Sequence, residues 1–453
     1  MQISIKHTVL CAALAGCATT IESPAIDHTD EAVTCPVPTI DQARSLEVTD
    51  ATALAKFSLQ RVMQAITASG KATNSALQLW QQWMGTFADC SNPAVDPDGY
   101  GIVCPRTPEA SLASINPFKQ TGPHFVPTAL ANRFDLAPRS GADCGEYRIV
   151  YAMIGGNGRA FLIFEGRLPN PTPSLGIAGC APVADFWAQL SNDPSATSRA
   201  AKLDQFYFTG LTGFEPVVAA SHYGLLTTPA TAAVRKGQIR TNMFVQFAQW
   251  NLREFQLSKP CAPSASCALS ADLVTDKVNP ANELFTGTHA NAPAFQAAFL
   301  DQVTPLSRHN PAVIAMSNAN RFNEFESVSS GSTDTLYQTF TQQSFKDQIA
   351  TKITNPNLNP DNILDRATTQ TCAGCHELSA FGPHSQLGDT VTWPASLGFV
   401  QVDESSHLSP ALTDVFLPHR GDVLTQFLRG QCGGGAVTDD GTNLSGGAID
   451  APN

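Results

Sequence analysis

Glu146-Tyr147-Arg148-Ile149-Val150-Tyr151-Ala152-Met153-Ile154, Gly155-Gly156-Asn157-Gly158-Arg159 and Ala160-Phe161-Leu162-Ile163-Phe164-Glu165-Gly166-Arg167-Leu168 follow one another without a break. On both sides of the glycines, apolar and polar residues alternate at period two, the pattern of half-buried strands. A glycine-rich run between two strands is a hairpin turn, because a phosphate loop needs a helix after it. Gln238–Val245 and Asn251–Leu257 show the same alternation and predict a second strand pair, with 318–328 returning to the sheet. Upstream, Asp50 caps a predicted helix running toward Ala68, with Leu59, Val62, Met63 and Ile66 as its apolar stripe. A second helix starts near Asn74 and carries Leu77, Trp80, Trp83, Met84 and Phe87 at helical spacing. Ser69-Gly70 separates the two, so an αα-hairpin is expected. Downstream, Pro293–Val303 and Thr335–Ile353 read as helices.

Chemistry points to the other end of the chain. Cys372-Ala373-Gly374-Cys375-His376 has the spacing of a c-type haem attachment site. Two thiols at that spacing can each add to one vinyl group of a porphyrin, and the histidine then sits under the iron as proximal ligand. A small structural disulfide with an incidental histidine is the plain alternative. A thioredoxin-like pair wants a strand before it, whereas Arg366–Thr371 reads as a polar helix end. A zinc site needs two more soft ligands nearby, and only Cys432 follows.

Asn359-Pro360-Asp361 is a strong helix start, with Ile363, Leu364 and Ala367 striping toward Cys372. Ser409-Pro410 opens a short helix through Phe416, and Asp422 opens another bearing Val423, Leu424, Phe427 and Leu428. Helix, attachment site, loop and closing helix resemble a small class I cytochrome c over 335–432, with Phe381, Trp393, Phe399 and Phe416 as candidate porphyrin walls. The resemblance departs at the sixth ligand: all six methionines precede the motif. His419 is the first candidate opposite His376 and His407 the second, with His384 too near in sequence to cross the ring. A bis-histidine iron has a lower potential than a His/Met one, and an open sixth position admits small ligands.

Met1–His7 carries one lysine, Thr8–Ala15 is a short apolar run, and Leu14-Ala15-Gly16-Cys17 follows. This reads as a lipoprotein signal peptide over 1–16, with Cys17 acylated as the new N-terminus and 17–48 as a tether. A plain signal peptide cut nearby is the alternative. Ala18, rather than Asp, follows the cysteine, so a lipid anchor in the outer membrane, facing periplasm or surface, is expected. Setting aside Cys11, Cys17, Cys372 and Cys375 from the 12 cysteines leaves an even set, as in disulfide-bonded exported proteins. Sequence proximity suggests Cys90–Cys104, Cys144–Cys180 and Cys261–Cys267, with Cys35–Cys432 by elimination. The net charge of −12, without a basic cluster, argues against nucleic acid and suits a positively charged envelope redox partner.

Ala131-Asn132-Arg133-Phe134-Asp135-Leu136, Cys144–Tyr151 and Phe161–Glu165, followed by Thr371–Leu378, resemble a family of uncharacterised exported bacterial proteins over 125–430. That resemblance implies that an α+β module travels with a Cys-x-x-Cys-His segment, and implies no activity. The expected fold is therefore α+β: an N-terminal helical hairpin, an antiparallel β-rich middle domain and a small helical cytochrome-c-like C-terminal domain. The boundaries are 49–333 for the α+β domain, 334–432 for the haem c-like domain and 433–453 for a disordered Gly/Asp/Thr-rich tail.

Arg133, Asp135, Glu146, Arg148, Glu165 and Arg167 place alternating charges on adjacent strands, which cross-strand ion pairs explain. The sharper alternative is a catalytic cluster of Arg133, Glu146 and Arg148, with Glu146 or Glu165 as base. No nucleophile elbow, HExxH helix or dinucleotide fingerprint accompanies it. Asp96-Pro97-Asp98-Gly99 resembles part of a Ca2+ loop but lacks its distal glutamate, so a tight turn is the simpler reading. The expected function is that of an envelope lipoprotein with one covalent haem c, for electron transfer or haem-ligand chemistry. The alternatives are a haem-free, disulfide-braced binding lipoprotein and an enzyme acting on the charged sheet.

Overall fold

Side chains that alternate across a strand build two unlike faces, and this chain uses both. A computed structural model describes residues 39–90, 102–225, 237–262, 264–329, 337–380, 382–433 and 443–444. Its centre is an antiparallel sheet of eight strands: β1 Glu47–Val48, β2 His124–Arg133, β3 Asp143–Ile154, β4 Gly158–Pro169, β5 Gln238–Val245, β6 Trp250–Ser258, β7 Ser270–Val274 and β8 Ser327–Ser329. The first seven pair in sequence order, and β8 pairs with β6. The fold is α+β, with several helices around this sheet. The β3–β4 hairpin turns where expected, and Gly158 is required there: at φ +84°, a Cβ would lie 2.1 Å from the Phe244 carbonyl oxygen.

One face is apolar and aromatic. Tyr147, Ile149, Tyr151, Leu162, Phe164, Met243 and Phe255 are buried on it. Four helices pack there: α1 Leu59–Ser69, α2 Ala76–Gly85, α3 Ala181–Ser191 and α4 Ala196–Phe208. Trp83 meets Phe164 edge-on at 6.1 Å and Phe255 at 5.7 Å, and Trp187 stacks on Tyr147 at 5.8 Å. Each such pair contributes roughly 0.5–1.5 kcal/mol beyond the area it buries.

The predicted Asp50–Ala68 helix is two pieces. Asp50 caps only Ala51–Leu54, and Ser58 restarts the chain as the cap of α1. Buried Phe57 lies at the break. The helix expected to start near Asn74 is α2, capped by Ser75 through a capping box with Gln78. The predicted Thr335–Ile353 helix divides into Tyr337–Phe340 and α6 Gln343–Ala350; upstream, α5 Ala292–Phe299 supplies Phe295 and Phe299 to a second core with Phe345. The two helices expected after Ser409 are one run, a π-helical turn Ala411–Phe416 that passes into α9 Leu417–Gly433. Before them come α7 Pro360–Gln370 and α8 Cys372–Glu377.

Pro36–Asn453 packs as one unit. Among the described residues no break in packing marks the expected 333/334 boundary: Leu417, Leu424, Phe427 and Leu428 share the core of the sheet and its helices. Phe427 meets Phe134 at 4.8 Å, while Cys372 and Ala373 pack on Trp250 and Leu252 of β6. Within the expected disordered tail, Asn443 pairs with Pro138, and the Leu444 amide donates to the Ala137 carbonyl at 2.9 Å. The disulfides Cys90–Cys104, Cys144–Cys180 and Cys261–Cys267 are formed. Cys17, Cys35, Asp96, Asp98 and the side chain of Cys432 lie outside what is described, and so do the lipid, Ca2+ and Cys35–Cys432 expectations. Among the described residues no helix is long and apolar enough to cross a membrane.

Candidate functional site

α7 begins as its sequence dictates: Asn359 caps it, Asn362 completes a capping box and Pro360 occupies the first turn. It ends at Thr371, which is at once the C-cap of α7 and the N-cap of α8, its hydroxyl accepting the Gly374 amide at 2.9 Å. This reversal leaves no room at Gly374, where a Cβ would lie 1.7 Å from the Thr368 carbonyl oxygen. The Ala373 amide donates to Ser327 Oγ at 3.0 Å and ties α8 to β8. Cys372 and Cys375 are free thiols and are not joined to each other. Burial pushes the Cys372 thiol well up and Cys375 to about 11, so both are neutral near pH 7.

His376 follows them with one ring nitrogen engaged and one left over. The ring hydrogen-bonds to the Phe399 backbone, while Nδ1 is buried with no hydrogen-bond partner. Burial, then Arg240 and Arg148, lower its pKa to about 4, so the imidazole is neutral and the unpartnered nitrogen carries a lone pair. Trp250, 1% exposed, lies 6.2 Å from the imidazole and 5.7 Å from the Phe399 ring. Its indole N–H donates to Asn242 Oδ1 at 2.8 Å, and Asn242 Nδ2 donates to the Phe399 carbonyl at 3.0 Å.

The second face of the sheet meets this segment across a cavity of about 360 Å3. The strands and the segments that adjoin them contribute Arg133, Arg148, Arg167, Arg240 and Lys277, with Asp135 and Glu146. Arg420 comes from the same helical run as Leu412 and Phe416, and Ile314, Met316 and Trp393 complete the apolar part of the lining. Cys372, Cys375, His376 and His419 all line the cavity. A smaller cavity of about 120 Å3 adjoins it and shares Arg133, Arg148, Arg240, His376 and Arg420.

Strand register explains the charged wall. Arg133 faces Glu146, which faces Arg167; Arg148 faces Glu165 one row on, and Arg240 faces Glu254 in the next. Arg148 reaches Glu146 at 2.6 Å and Glu165 at 3.1 Å, and Arg240 reaches Glu165 at 3.2 Å and Glu254 at 2.7 Å. Arg167 lies 3.4 Å from Asp143 and from Glu146, and Arg133 pairs with Asp135 at 2.9 Å. The cross-strand ion pairs and the cavity wall are therefore the same residues. Burial alone would raise Glu146, but Arg148 and Arg167 outweigh it and hold its carboxyl well below the usual range. A carboxylate held that low is an ion-pair hub and a weak base.

Of the sequence candidates, Arg133, Glu146, Arg148, His376 and His419 come together here; His407 does not. His407 is 75% exposed and pairs with Asp403 at 2.9 Å as part of a local turn. His384 bridges to the Trp393 backbone and faces Asp365. Arg240, Arg420, Asn242 and Trp250 were not singled out from sequence. The first and third are inward polar residues on a strand whose alternation was legible, and that was the available signal. Among the described residues no cluster of three or more His, Cys, Asp or Glu is arranged around a bare metal ion.

The residues present suit a covalently attached haem: two unjoined thiols, an adjacent neutral imidazole with an orphaned buried nitrogen, and an adjoining cavity within the roughly 300–1,000 Å3 of small-molecule sites. No family model, no curated protein and no solved structure matches the chain, so no relative's activity bears on this site.

Proposed function

We propose that this protein is a lipid-anchored envelope protein that holds one covalent c-type haem between α8 and the charged face of the sheet. The observation that carries the reading is the orphaned, buried nitrogen of a neutral His376 beside two thiols that are not joined. Cys372 and Cys375 would each add S and H across a vinyl group, a step that needs no oxidant. His376 would be the proximal ligand, its other nitrogen held by Phe399 as ligating histidines are commonly held. His419, at the opening of α9 and lining the same cavity, would be the second histidine available to hold the iron. When bound, the group supplies a one-electron iron couple and, with an open sixth position, a site for a small ligand. The helical segment from 334 to 432 is read as its cytochrome-like half, and Cys17 as the lipid attachment. Disulfides in the same chain fit the exported side of a membrane, where haem c is attached.

The test is a pyridine haemochrome spectrum of the chain exported alongside a c-type maturation system. A band in the haem α region that survives denaturing electrophoresis is expected, and its absence ends the cytochrome reading. In a haem-loaded chain, His376→Ala is expected to keep the covalent link and change the spin state; an unchanged spectrum removes His376 as the ligand. The enzyme reading shares the cavity, but a suppressed Glu146 weakens its proposed base.

A further inference from the structure

The cavity lining has a charged part and an apolar part, and their chemistry narrows the ligand. On the sheet side the acids lie beneath and the cations above: Glu146, Glu165 and Glu254 side chains are 0–1% exposed, while Arg133, Arg148 and Arg240 are 16–20% exposed. Arg133, Arg148 and Arg240 each meet carboxylates through Nε and Nη2: Arg133 at Asp135, Arg148 at Glu146 and Glu165, and Arg240 at Glu165 and Glu254. Six cations and two carboxylates line the space in a chain whose net charge is −12. Glu47, the partner of Arg420, is raised to about 7 by burial against the pull of Arg420, Arg148 and Arg133, so it neutralises Arg420 only in part. Met316, Trp393 and Phe416 line the same cavity and give it an apolar surface.

We infer that the arginine wall takes the two carboxylates of a porphyrin whose flat body lies against the apolar wall. This rests on the haem reading above and deepens it: the charged sheet face becomes the anionic end of the same site. A small inorganic oxyanion would leave the apolar wall unused. A fatty acid would bring one carboxylate and a flexible tail to a wall with several guanidinium groups. A dicarboxylate on a rigid planar apolar body uses both parts of the lining, and charge-assisted hydrogen bonds to arginine give the carboxylates their share of the affinity.

The test uses the full chain carrying Cys372→Ala and Cys375→Ala, exported so that its disulfides form. The probes are mesoporphyrin IX, which lacks both vinyls and iron, and its dimethyl ester, followed by fluorescence titration. The diacid is expected to bind one per chain, with the ester at least about tenfold weaker, the scale of one lost hydrogen bond to a charged group. Arg420→Gln, checked for folding by circular dichroism, is expected to weaken the diacid and leave the ester unchanged. Equal binding of diacid and ester, no binding of either, or dodecanoate binding as tightly as the diacid each overturns the inference. Haem staining of the wild-type chain reports the covalent reading separately: a stained wild type with an ester bound as well as the diacid keeps the haem and loses the arginine assignment. An unstained wild type with a selective diacid keeps the porphyrin site and loses the thioethers.

Discussion

Phe399 has φ +66°, a left-handed conformation that a bulky aromatic residue adopts at a cost of roughly 1–3 kcal/mol. Asn242 and Trp250 hold it there, the first through its carbonyl and the second against its ring. That carbonyl is what the His376 ring faces, while the ring's Nδ1 stays unpartnered. Asn242 is the positioning residue of the set, since it joins the indole N–H to the carbonyl. Asn242→Leu is expected to strand both groups and to cost about 1–3 kcal/mol in urea denaturation. A merely structural role would end there. Positioning demands more: the 15N shifts of the His376 ring in the haem-free chain should move as its tautomer becomes mixed. Ring shifts identical to wild type would reduce Asn242 to a packing residue.

Between residues and the whole stands the α7–α8 junction, where Thr371 ends one helix and starts the next. Gly374→Ala presses a Cβ against the Thr368 backbone at 1.7 Å, a contact no side-chain rotation relieves. A loss of at least about 2 kcal/mol is expected, with α8 opened to proteolysis. Gly85→Ala, at the end of α2 where a Cβ meets nothing, is the control and should be neutral or gain up to about 1 kcal/mol. A melting temperature for Gly374→Ala no lower than that of the control would mean the junction is loose. How much of these elements sequence reveals follows from how local their causes are. The β3–β4 hairpin, β5, β6, the Asn359 cap and the disulfides between near cysteines are legible because each is decided within a few tens of residues. β2 shows in the sequence only at its Arg133 end, because Pro127 and Thr128 interrupt its alternation at a register shift, and Asp135, expected on the same strand, lies in the 3-10 turn that follows it. α4 is not legible although Leu203, Phe206 and Tyr207 lie on one face. His407 and His419 look alike in sequence, and only His407 has an acid one helical turn before it, Asp403, to hold it at the surface. The cavity itself has no local signature. Arg148 and His376 share it from opposite ends of the chain, so two sequence readings that competed prove to concern one place.

At the scale of the molecule, Glu47 on β1 and Arg420 on α9 join the first strand to the last helix at 3.4 Å and help enclose the cavity. Burial raises the Glu47 pKa from 4.5 to about 7, outweighing Arg420, Arg148 and Arg133. The unfolded chain releases this proton near 4.5, whereas the folded chain keeps it until about 7. Across that window the native state binds more protons than the unfolded one, so stability falls as pH rises and then levels off above 7. The full shift corresponds to an upper bound of about 3 kcal/mol, of which about 2 kcal/mol falls between pH 5 and 8. Glu47→Gln removes this titration while keeping an oxygen for Arg420. Urea unfolding at pH 5, 6, 7 and 8 should therefore give a stability difference, variant minus wild type, that grows by about 2 kcal/mol toward pH 8. Taking the difference cancels the other titrating groups, such as Asp276, which burial also raises. A difference that stays flat would show that Glu47 is already ionised in the folded protein and that Arg420 is fully neutralised. Arg420 would then have no surplus charge to offer the cavity, and a porphyrin carboxylate would have to be met by Arg133, Arg148 and Arg240 alone.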